Sequence, residues 1–461
     1  MRTYWTFFLL LLTFLACLPG CRNTKDQENE IKLVAWITYK GHELEEFSKL
    51  VARFCKKYKK EHKIKVNIIA KQVPFDDLTT NIKMACLSNK TPDIARLDSL
   101  KVLELAYHKV LVPLDKLEEF KKEGKTIQEK GQEFMPGPYQ VNVVETKNLQ
   151  GKLVTHLYGL PEQATCLALF WNKEMFREVG EQLKKAGLDP KKAPATWQEL
   201  IQYSKILTRK VGSEYRYGFA MNNSLWWTFP FFGVYETKFV VTKNGKKVCT
   251  LGDDASVKAL QLKVDLYQKY KIEAGAWKSG AIGPDVGFIN EKYAMIFMGP
   301  WKVKDFQKKG LDFGVSLIPG IKGKIKTATN VGGNSLVIFR SSKHQEVAYC
   351  FLKFMTSCET QVRWCQSLKQ IPVNRKAAKI LAGKSKDPRY ADIKVDPIIA
   401  MFMEQIKYAV PPPPLPRYAY IEGDVINPEM ELALKKEKTV KKALLDSAKK
   451  INDHVLSLVN E

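Results

Sequence analysis

Residues 31–69 alternate strand, helix and strand, and this order restricts the fold more than any other feature of the chain. Residues 31–37 (IKLVAWI) form a nearly continuous apolar run of strand length, as in a buried parallel strand. Apolar residues then recur at intervals of three and four from Leu44 to Tyr58, and residues 64–69 alternate as a second strand. Two strands joined by a helix form a βαβ unit, so the sequence predicts an α/β fold.

The rest of the chain also contains predicted strands and helices. Residues 91–95 are predicted to form another short strand, and the Gly and Pro of residues 158–161 are predicted to form a turn before the apolar strand 167–171. Two basic helical stretches, a proline-rich loop and a terminal amphipathic helix follow, at residues 173–186, 196–209, 410–416 and 440–455.

Length and charge narrow the class of protein. The 461 residues suggest roughly three domains or two large lobes at about 150 residues per domain, and 45% hydrophobic residues exclude a disordered chain. Lys and Arg exceed Asp and Glu by 74 to 49, a net charge of +25, which favours an acidic ligand, nucleic acid or an anionic membrane. These charges are spread along the whole chain, and no zinc module or RNA-binding motif accompanies them. We therefore expect no nucleic-acid partner.

The N-terminus carries the pattern of an export signal. A 15-residue apolar run, residues 4–18, follows Arg2 and is shorter than the roughly 20 residues that span a membrane. It ends in the sequence LPGC at 18–21, which looks like a bacterial lipobox. We expect residues 1–21 to be a lipoprotein signal peptide, Cys21 to be lipidated and 22–30 to be a tether that anchors the protein at the periplasmic or extracellular face of a membrane. Ordinary cleavage that leaves Cys21 unmodified is the alternative.

No catalytic, metal-binding or cofactor pattern stands out. The six histidines lack metal-ligand spacing, and the glycine cluster 331–334 lacks the Lys-Ser or Lys-Thr pair of a phosphate loop and is predicted to be a turn or hinge. The seven cysteines of the folded part lack the doublets of a zinc site, although one disulfide of unspecified pairing remains open. We expect no metal, no cofactor and no enzyme, while a glycosidase with two carboxylates close only in space remains an alternative.

Aromatic residues at turns and at the ends of elements form the strongest functional pattern. A pyranose ring presents an apolar face that stacks on an aromatic ring, and its hydroxyl groups are bound by polar side chains. Core packing is the alternative for any one ring, and Trp171, inside an apolar strand, is assigned to it. The candidates for sugar stacking are Trp36, Tyr39, Trp226, Trp227 and Trp301.

Several separated segments, in the right order over nearly the whole mature chain, resemble the family 1 extracellular solute-binding proteins of ABC importers, the maltose-binding-protein group. The most specific segment is AMIFMGPW at 294–301. The others are 33–36 with the helix after it, 91–94, 158–161, 170–176, 194–200, 371–374 and the terminal helix from Thr439 to Ile451.

This resemblance implies a periplasmic-binding-protein fold of the class II type, with two α/β lobes around a ligand cleft that closes by a hinge motion. The N-lobe would comprise 31–163 and 331–370, and the C-lobe would comprise 164–330 and most of 371–461. The chain would cross between the lobes near 161–164, 331–333 and 370–374.

The resemblance also implies roles for individual residues. Trp301 would stack on sugar, Thr38, Tyr39 and Lys40 would face the cleft, and Asp98 would bind a hydroxyl group. Their positions at a crossing and after the proline-rich loop make Glu162, Arg417 and Tyr418 cleft residues as well. The chain departs from the maltose pattern in its Trp226-Trp227 pair, its longer segment 118–153 and its basic charge, and these departures put maltose itself in doubt.

The leading hypothesis is a monomeric, non-catalytic receptor that captures a sugar or oligosaccharide and delivers it to ABC permease subunits in the inner membrane. The net charge of +25 and Arg417 leave open an anionic solute, such as glycerol-3-phosphate or a glycerophosphodiester. An exported carbohydrate-active enzyme is the third hypothesis.

Overall fold

A computed structural model describes residues 30–147, 150–413, 415 and 417–460. The predicted signal peptide, the predicted lipidation site Cys21, most of the predicted tether, and Pro414 and Pro416 of the proline-rich loop lie outside the described residues. Within them, no helix is long and apolar enough to cross a membrane.

Sixteen strands are present among the described residues. They are β1 (Glu30–Ile37), β2 (Lys65–Gln72), β3 (Ile94–Asp98), β4 (Val143–Lys147), β5 (Leu153–Leu157), β6 (Gly159–Thr165), β7 (Ala168–Asn172), β8 (Arg209–Val211), β9 (Glu214–Arg216), β10 (Val240–Lys243), β11 (Lys246–Cys249), β12 (Met295–Met298), β13 (Phe313–Ser316), β14 (Thr329–Asn330), β15 (Gly332–Ile338) and β16 (Ala409–Val410).

The α-helices pack around these strands, and the last of them begin after the proline-rich loop. They are α1 (Gly41–His62), α2 (Phe75–Leu87), α3 (Val102–Tyr107), α4 (Glu118–Lys121), α5 (Ile127–Gly131), α6 (Pro136–Gln140), α7 (Lys173–Glu178), α8 (Gly180–Lys185), α9 (Trp197–Leu207), α10 (Leu225–Val234), α11 (Asp254–Gln268), α12 (Pro284–Ile289), α13 (Val303–Lys308), α14 (Gln345–Thr356), α15 (Cys358–Leu368), α16 (Arg375–Leu381), α17 (Pro397–Gln405), α18 (Tyr418–Tyr420), α19 (Asn427–Leu434), α20 (Val440–Ile451) and α21 (Ser457–Asn460).

The first lobe is built on a five-stranded sheet in the order β2-β1-β3-β15-β6. Strands β1, β2 and β3 are parallel, and β15 runs antiparallel to both β3 and β6. Side chains such as Leu33 and Ile37 pack with α1, α14 and α15, whereas Leu97 and Val337 pack with α2 and α3 on the other face. The predicted βαβ unit is therefore confirmed, and helices cover both faces of the sheet.

The second lobe is built on a three-stranded antiparallel sheet in the order β12-β7-β13. Trp171, on β7, packs with Phe176 and Trp197 and is only 7% exposed, which confirms its assignment to the core. A further apolar cluster joins α10 and α11 to the C-terminal helices α19 and α20. The terminal helix begins after Thr439, whose hydroxyl accepts from the backbone of Lys442 as an N-cap.

The turn predicted at residues 158–161 is wrong, because these residues lead into a strand, and the cluster 331–334, predicted to be a turn or hinge, also enters a strand and is not a turn. Residues 159–165 and 332–338 pair as β6 and β15, with a register shift between Asn334 and Ser335 opposite Pro161. A bulge at this point tolerates a proline, which has no N–H to give to the ladder. Glycine at position 159 lets the backbone of β6 lie close to the side chain of Asn142, because a Cβ there would lie 2.5 Å from Asn142 Oδ1. It is not needed for a turn.

The paired strands β6 and β15 lead directly into crossings between the lobes. The backbone N of Leu167 donates to Asn330 Oδ1 over 2.8 Å, and Thr329 Oγ1 donates to the carbonyl of Leu167 over 2.7 Å. The two crossings therefore run side by side, and β14 is joined there by β16.

Ile371 pairs with Ala164 at the same place. Residues 373–375 lie against the first lobe, since Val373 accepts from Met135 N over 2.8 Å and Arg375 N donates to Glu133 over 2.9 Å. The chain returns to the second lobe with α17, where Phe402 contacts Phe170. The lobe boundaries given above remain a prediction.

Other helix predictions need correction in detail. The basic stretch 173–186 forms two short helices, α7 and α8, with Val179 between them. Cys350 lies on α14, and Cys358 and Cys365 lie on α15. All seven cysteines of the described part are free thiols, and the disulfide left open above is not formed among them.

Candidate functional site

Three tryptophans meet where the two lobes adjoin, and we call them the tryptophan cluster. Trp226 and Trp227 open α10, and Trp301 follows β12. The ring centroids of Trp226 and Trp227 are 5.4 Å apart, and Trp301 lies 6.1 and 6.3 Å from them. All three rings are half-buried, so each keeps part of its surface free for a ligand.

The main chain lies directly against two rings of this cluster, those of Trp226 and Trp301, and fixes their positions. The indole N–H of Trp226 donates to the Val331 carbonyl over 3.3 Å, at the start of β15. A Cβ on Gly332 would lie 3.0 Å from that nitrogen, and a Cβ on Gly299 would overlap the Trp301 ring at 1.7 Å. Glycine at these two positions therefore lets the rings lie directly on the main chain.

Acidic and phenolic side chains from both lobes interact with one another next to the start of α10. Asp98, at the end of β3, caps the following turn by accepting from Leu100 N over 3.0 Å. Glu422, from the C-terminal segment, accepts from the backbone N of Trp226 over 3.0 Å. The hydroxyl of Tyr418 is buried without a hydrogen-bond partner.

Burial raises the pKa of both Asp98 and Glu422, and the charge of Asp98 raises the pKa of Glu422 further. Burial also raises the pKa of Tyr418 well above its usual value, and the charges of Glu422 and Asp98 add to this effect. The three groups are therefore close enough to act on each other. Together they offer carboxylate acceptors and a phenolic donor beside the aromatic rings, which is the combination that binds sugar hydroxyl groups.

A second polar group, the Arg96 network, lies deeper between β3 and β6. The Nε of Arg96 donates to Glu162 Oε2 over 2.9 Å, and its other nitrogens donate to Thr38 and Gln163. The guanidinium also lies 4.3 Å from the centroid of the Tyr39 ring. Burial alone would lower the pKa of Arg96, but the neighbouring carboxylates of Glu162 and Glu43 raise it overall, so Arg96 keeps its charge.

The structure brings together five of the predicted site residues. Asp98, Trp226, Trp227, Trp301 and Tyr418 lie in or beside the tryptophan cluster.

The other predicted residues lie elsewhere. Tyr39 is fully buried against Phe47 and Trp364, and Glu162 is fully buried against Arg96, so neither presents a surface to a ligand in this conformation. Lys40 is exposed at the N-terminus of α1.

Trp36 and Arg417 also point away from the cluster. Trp36 packs against the α2 side of the first sheet, with Lys71 5.2 Å from its ring. Arg417 is exposed, donates to the His454 carbonyl over 3.3 Å and stacks on Tyr420.

Sequence reasoning missed Arg96 and Glu422. A lone arginine inside the apolar strand IARLD was the available signal for Arg96, because a buried charge requires a partner. Nothing local marks Glu422, whose partner Trp226 is 196 residues away. Among the described residues, no group of three or more His, Cys, Asp or Glu side chains is arranged to hold a metal ion.

Comparison with known proteins agrees with this geometry. The family described as bacterial extracellular solute-binding protein matches residues 53–392. The galactooligosaccharide-binding protein of Bacillus subtilis (strain 168) is 23% identical over 421 residues, which are 88% of this chain and 85% of that protein. The maltooligosaccharide ABC transporter solute-binding lipoprotein of Streptococcus pneumoniae (strain ATCC BAA-255 / R6) is 25% identical over 254 residues, 54% of this chain and 56% of that protein.

Solved structures share the fold. The GacH receptor of Streptomyces glaucescens GLA.O, determined without ligand and in complex with acarbose, matches with a TM-score of 0.72 and 22% identity, over 92% of this chain and 98% of that one. The architecture is thus the two-lobed fold that the sequence predicts. Because the family match spans most of the folded chain, the protein belongs to the family of bacterial extracellular solute-binding proteins.

Proposed function

We propose that the protein is the solute-binding component of an ABC importer and that it binds a neutral sugar or oligosaccharide. The observation that carries this proposal is the tryptophan cluster, with carboxylates from both lobes beside it. Two relatives are named for binding galactooligosaccharide and maltooligosaccharide, which supports the same class of ligand.

Binding, and not bond cleavage, is the proposed mechanism. The indole rings supply apolar stacking surface, and Asp98, Glu422 and Tyr418 supply hydrogen bonds that select the hydroxyl pattern. Asp98 belongs to the first lobe and Glu422 to the C-terminal segment that packs on the second lobe. A ligand that bonds to both therefore stabilises the closed arrangement, and the closed form is the one that the permease recognises.

The charges near the cluster favour a neutral ligand over an anionic one. Asp98 and Glu422 are acidic, Lys101 contributes a single opposing charge that acts on both, and the guanidinium of Arg96 is already neutralised by Glu162. Arg417, the residue that suggested an anionic solute, contacts His454 and Tyr420 instead. An anion at the cluster would thus face two carboxylates, which repel it.

A binding screen on residues 22–461 tests the proposal. Neutral mono- and oligosaccharides and phosphorylated glycerols are titrated while tryptophan fluorescence and thermal unfolding are recorded. A ligand at a hundred times its dissociation constant stabilises the folded state by about 2.7 kcal/mol. We expect a neutral saccharide to raise the unfolding temperature and change the fluorescence, with the sugar recovered intact after long incubation.

Matched variants locate the site in the same screen. Trp301→Phe should weaken binding, whereas Trp36→Phe should not, because Trp36 packs on the α2 side of the first sheet. Arg417→Ala should leave saccharide affinity within a few-fold. A response to glycerol phosphates alone, lost in Arg417→Ala, would refute the neutral ligand, and cleaved sugar would refute the binding-only mechanism.

We further propose that the protein is exported, acts as a monomer and is anchored through a lipid on Cys21. The polar residues 22–30 would tether the folded part, which begins at β1. Both walls of the site come from one chain, so one copy is sufficient for binding. Expression of the full chain with a clickable palmitate analogue should label the membrane fraction, and Cys21→Ser should abolish the label. An equally strong label in that variant would disprove the anchor.

A further inference from the structure

Lys263 of α11 is a fully buried lysine in the second lobe, close to the segment that carries Trp226 and Trp227. Its ammonium donates to Asn223 Oδ1 over 2.8 Å and to Thr228 Oγ1 over 2.6 Å. Both partners are neutral oxygens and not carboxylates. Burial accordingly lowers the pKa of Lys263 to about 7.

The two acceptors of Lys263 bracket the tryptophans. Asn223 lies just before α10, and Thr228 lies in its first turn, where its hydroxyl donates to the Ser224 carbonyl over 2.6 Å. The ammonium therefore ties the residue before the helix to the first turn of the helix. Trp226 and Trp227 lie between the two tied positions.

Two other groups hold neighbouring parts of the same segment. The carboxyl of Glu273 accepts from Met221 N over 3.3 Å, from Gly275 N over 2.9 Å and from Trp277 Nε1 over 3.2 Å. The backbone of Leu225 donates to Asn427 Oδ1 over 2.7 Å. The start of α10 is thus held by side chains and not by its own N-cap, since Ser224 makes no side-chain cap bond.

Burying a lysine has a large desolvation cost, and the charge of Glu273 offsets this cost only in part, since the pKa of Lys263 remains lowered. We propose that Lys263 is a positioning residue for the proposed sugar site: its ammonium fixes residues 223–228 so that Trp226 and Trp227 keep their orientation against Trp301. The expected effect of Lys263 on ligand affinity rests on the proposed function. The expected effect of Lys263 on the orientation of the rings is independent of any ligand.

The test measures the rings without ligand. Indole rings at 5.4–6.3 Å couple electronically and give a circular-dichroism band that depends on their relative orientation. Lys263→Met keeps most of the apolar part of the side chain but removes its donors. The band that disappears in Trp226→Phe reports the coupling of the Trp226 ring. We expect Lys263→Met to reduce the intensity of that band to half or less.

A second buried lysine provides the matched control. Lys130, 4% exposed in the first lobe, donates to Glu123 Oε2 over 2.9 Å and to Glu133 Oε2 over 3.1 Å. Lys130→Met should lower the unfolding temperature because Glu123 and Glu133 both lose their buried cationic partner, but it should not change the indole band. In Lys263→Met the unfolding temperature should move less than in this control, because the loss of two hydrogen bonds is offset by removal of a buried charge.

An unchanged indole band in Lys263→Met would overturn the proposal, whatever happens to stability. Thr228→Val, which removes one acceptor with little change in shape, provides a second variant if Lys263→Met does not fold, and it should reduce the same band. With maltotriose and a galactooligosaccharide as probes, a reduced band together with an affinity about tenfold lower supports both proposals. A reduced band with no response to any saccharide in the wild-type chain supports the positioning role and refutes the sugar site.

Discussion

Replacing Glu162 by Gln should destabilise the whole protein, although sequence reasoning placed Glu162 among the ligand-binding residues. The side chains of Arg96 and Glu162 are 5% and 0% exposed, and their ion pair measures 2.9 Å. Glutamine preserves the shape but leaves the guanidinium without its counter-charge. Breaking a buried pair in this way costs about 3–5 kcal/mol. The charge of Glu43 also acts on Arg96 and remains in the variant, so we expect a loss of stability near the lower end of this range, at about 3 kcal/mol.

The loss converts into a measurable temperature shift. An unfolding entropy of about 2.1 cal/mol/K per residue gives roughly 1 kcal/mol/K for 461 residues, so calorimetry should show a midpoint lower by about 3 °C. Glu359→Gln is the control, because its 3.2 Å pair with Arg363 is exposed and should be worth less than about 1 kcal/mol. The double variant Arg96→Met/Glu162→Leu should recover most of the loss. A Glu162→Gln midpoint equal to that of the control would refute this reasoning.

Three further predictions concern the crossings, the site and the buried acid. Gly333→Ala should lower the unfolding temperature by several degrees, because its Cβ would lie 2.1 Å from the Gln163 carbonyl, whereas Gly137→Ala, which meets no atom within 4 Å, should not. Asp98→Asn should weaken saccharide binding by about tenfold or more in the fluorescence titration, since hydrogen bonds to a charged acceptor contribute about 1.5–3 kcal/mol; an unchanged affinity would remove Asp98 from the site. Burial raises the pKa of Glu273 to about 7, so the folded state binds more protons than the unfolded state between about pH 4.5 and 7, and stability should fall as pH rises through that window. In Glu273→Gln the unfolding temperature should fall less over this pH range than in the wild-type chain. A pH profile equal to that of the wild-type chain would contradict the assignment to Glu273.

Much of the fold was predictable because it depends on local patterns. The apolar run of β1 and the spacing of three and four along α1 are set by neighbours in the sequence, and the structure reproduces both. The tryptophans of the site were predictable for a related reason. Trp226, Trp227 and Trp301 lie at the ends of elements and are half-buried there, whereas Tyr39, just after β1, is fully buried.

Other features depended on partners far away in the chain. Gly159 and Pro161 favour a turn locally, but they lie in β6 because β15, more than 170 residues later, pairs with them and accommodates the proline at a register shift. Arg417 follows the proline-rich loop as expected, yet its side chain contacts His454, because the C-terminal helix passes there.

The sequence by itself therefore determined the α/β class and the βαβ opening through local periodicity, and the aromatic character of the candidate site through residue type. The family followed from the resemblance of several separated segments in the right order. Only the tertiary structure decided that Asp98 and Glu422 lie close enough to act on each other, that Glu162 neutralises Arg96 and that Lys263 donates to Asn223 and Thr228. Each of these contacts joins residues 35 or more positions apart. Such pairs are selected by packing and by the cost of leaving a buried charge unpaired, and no local pattern carries that information.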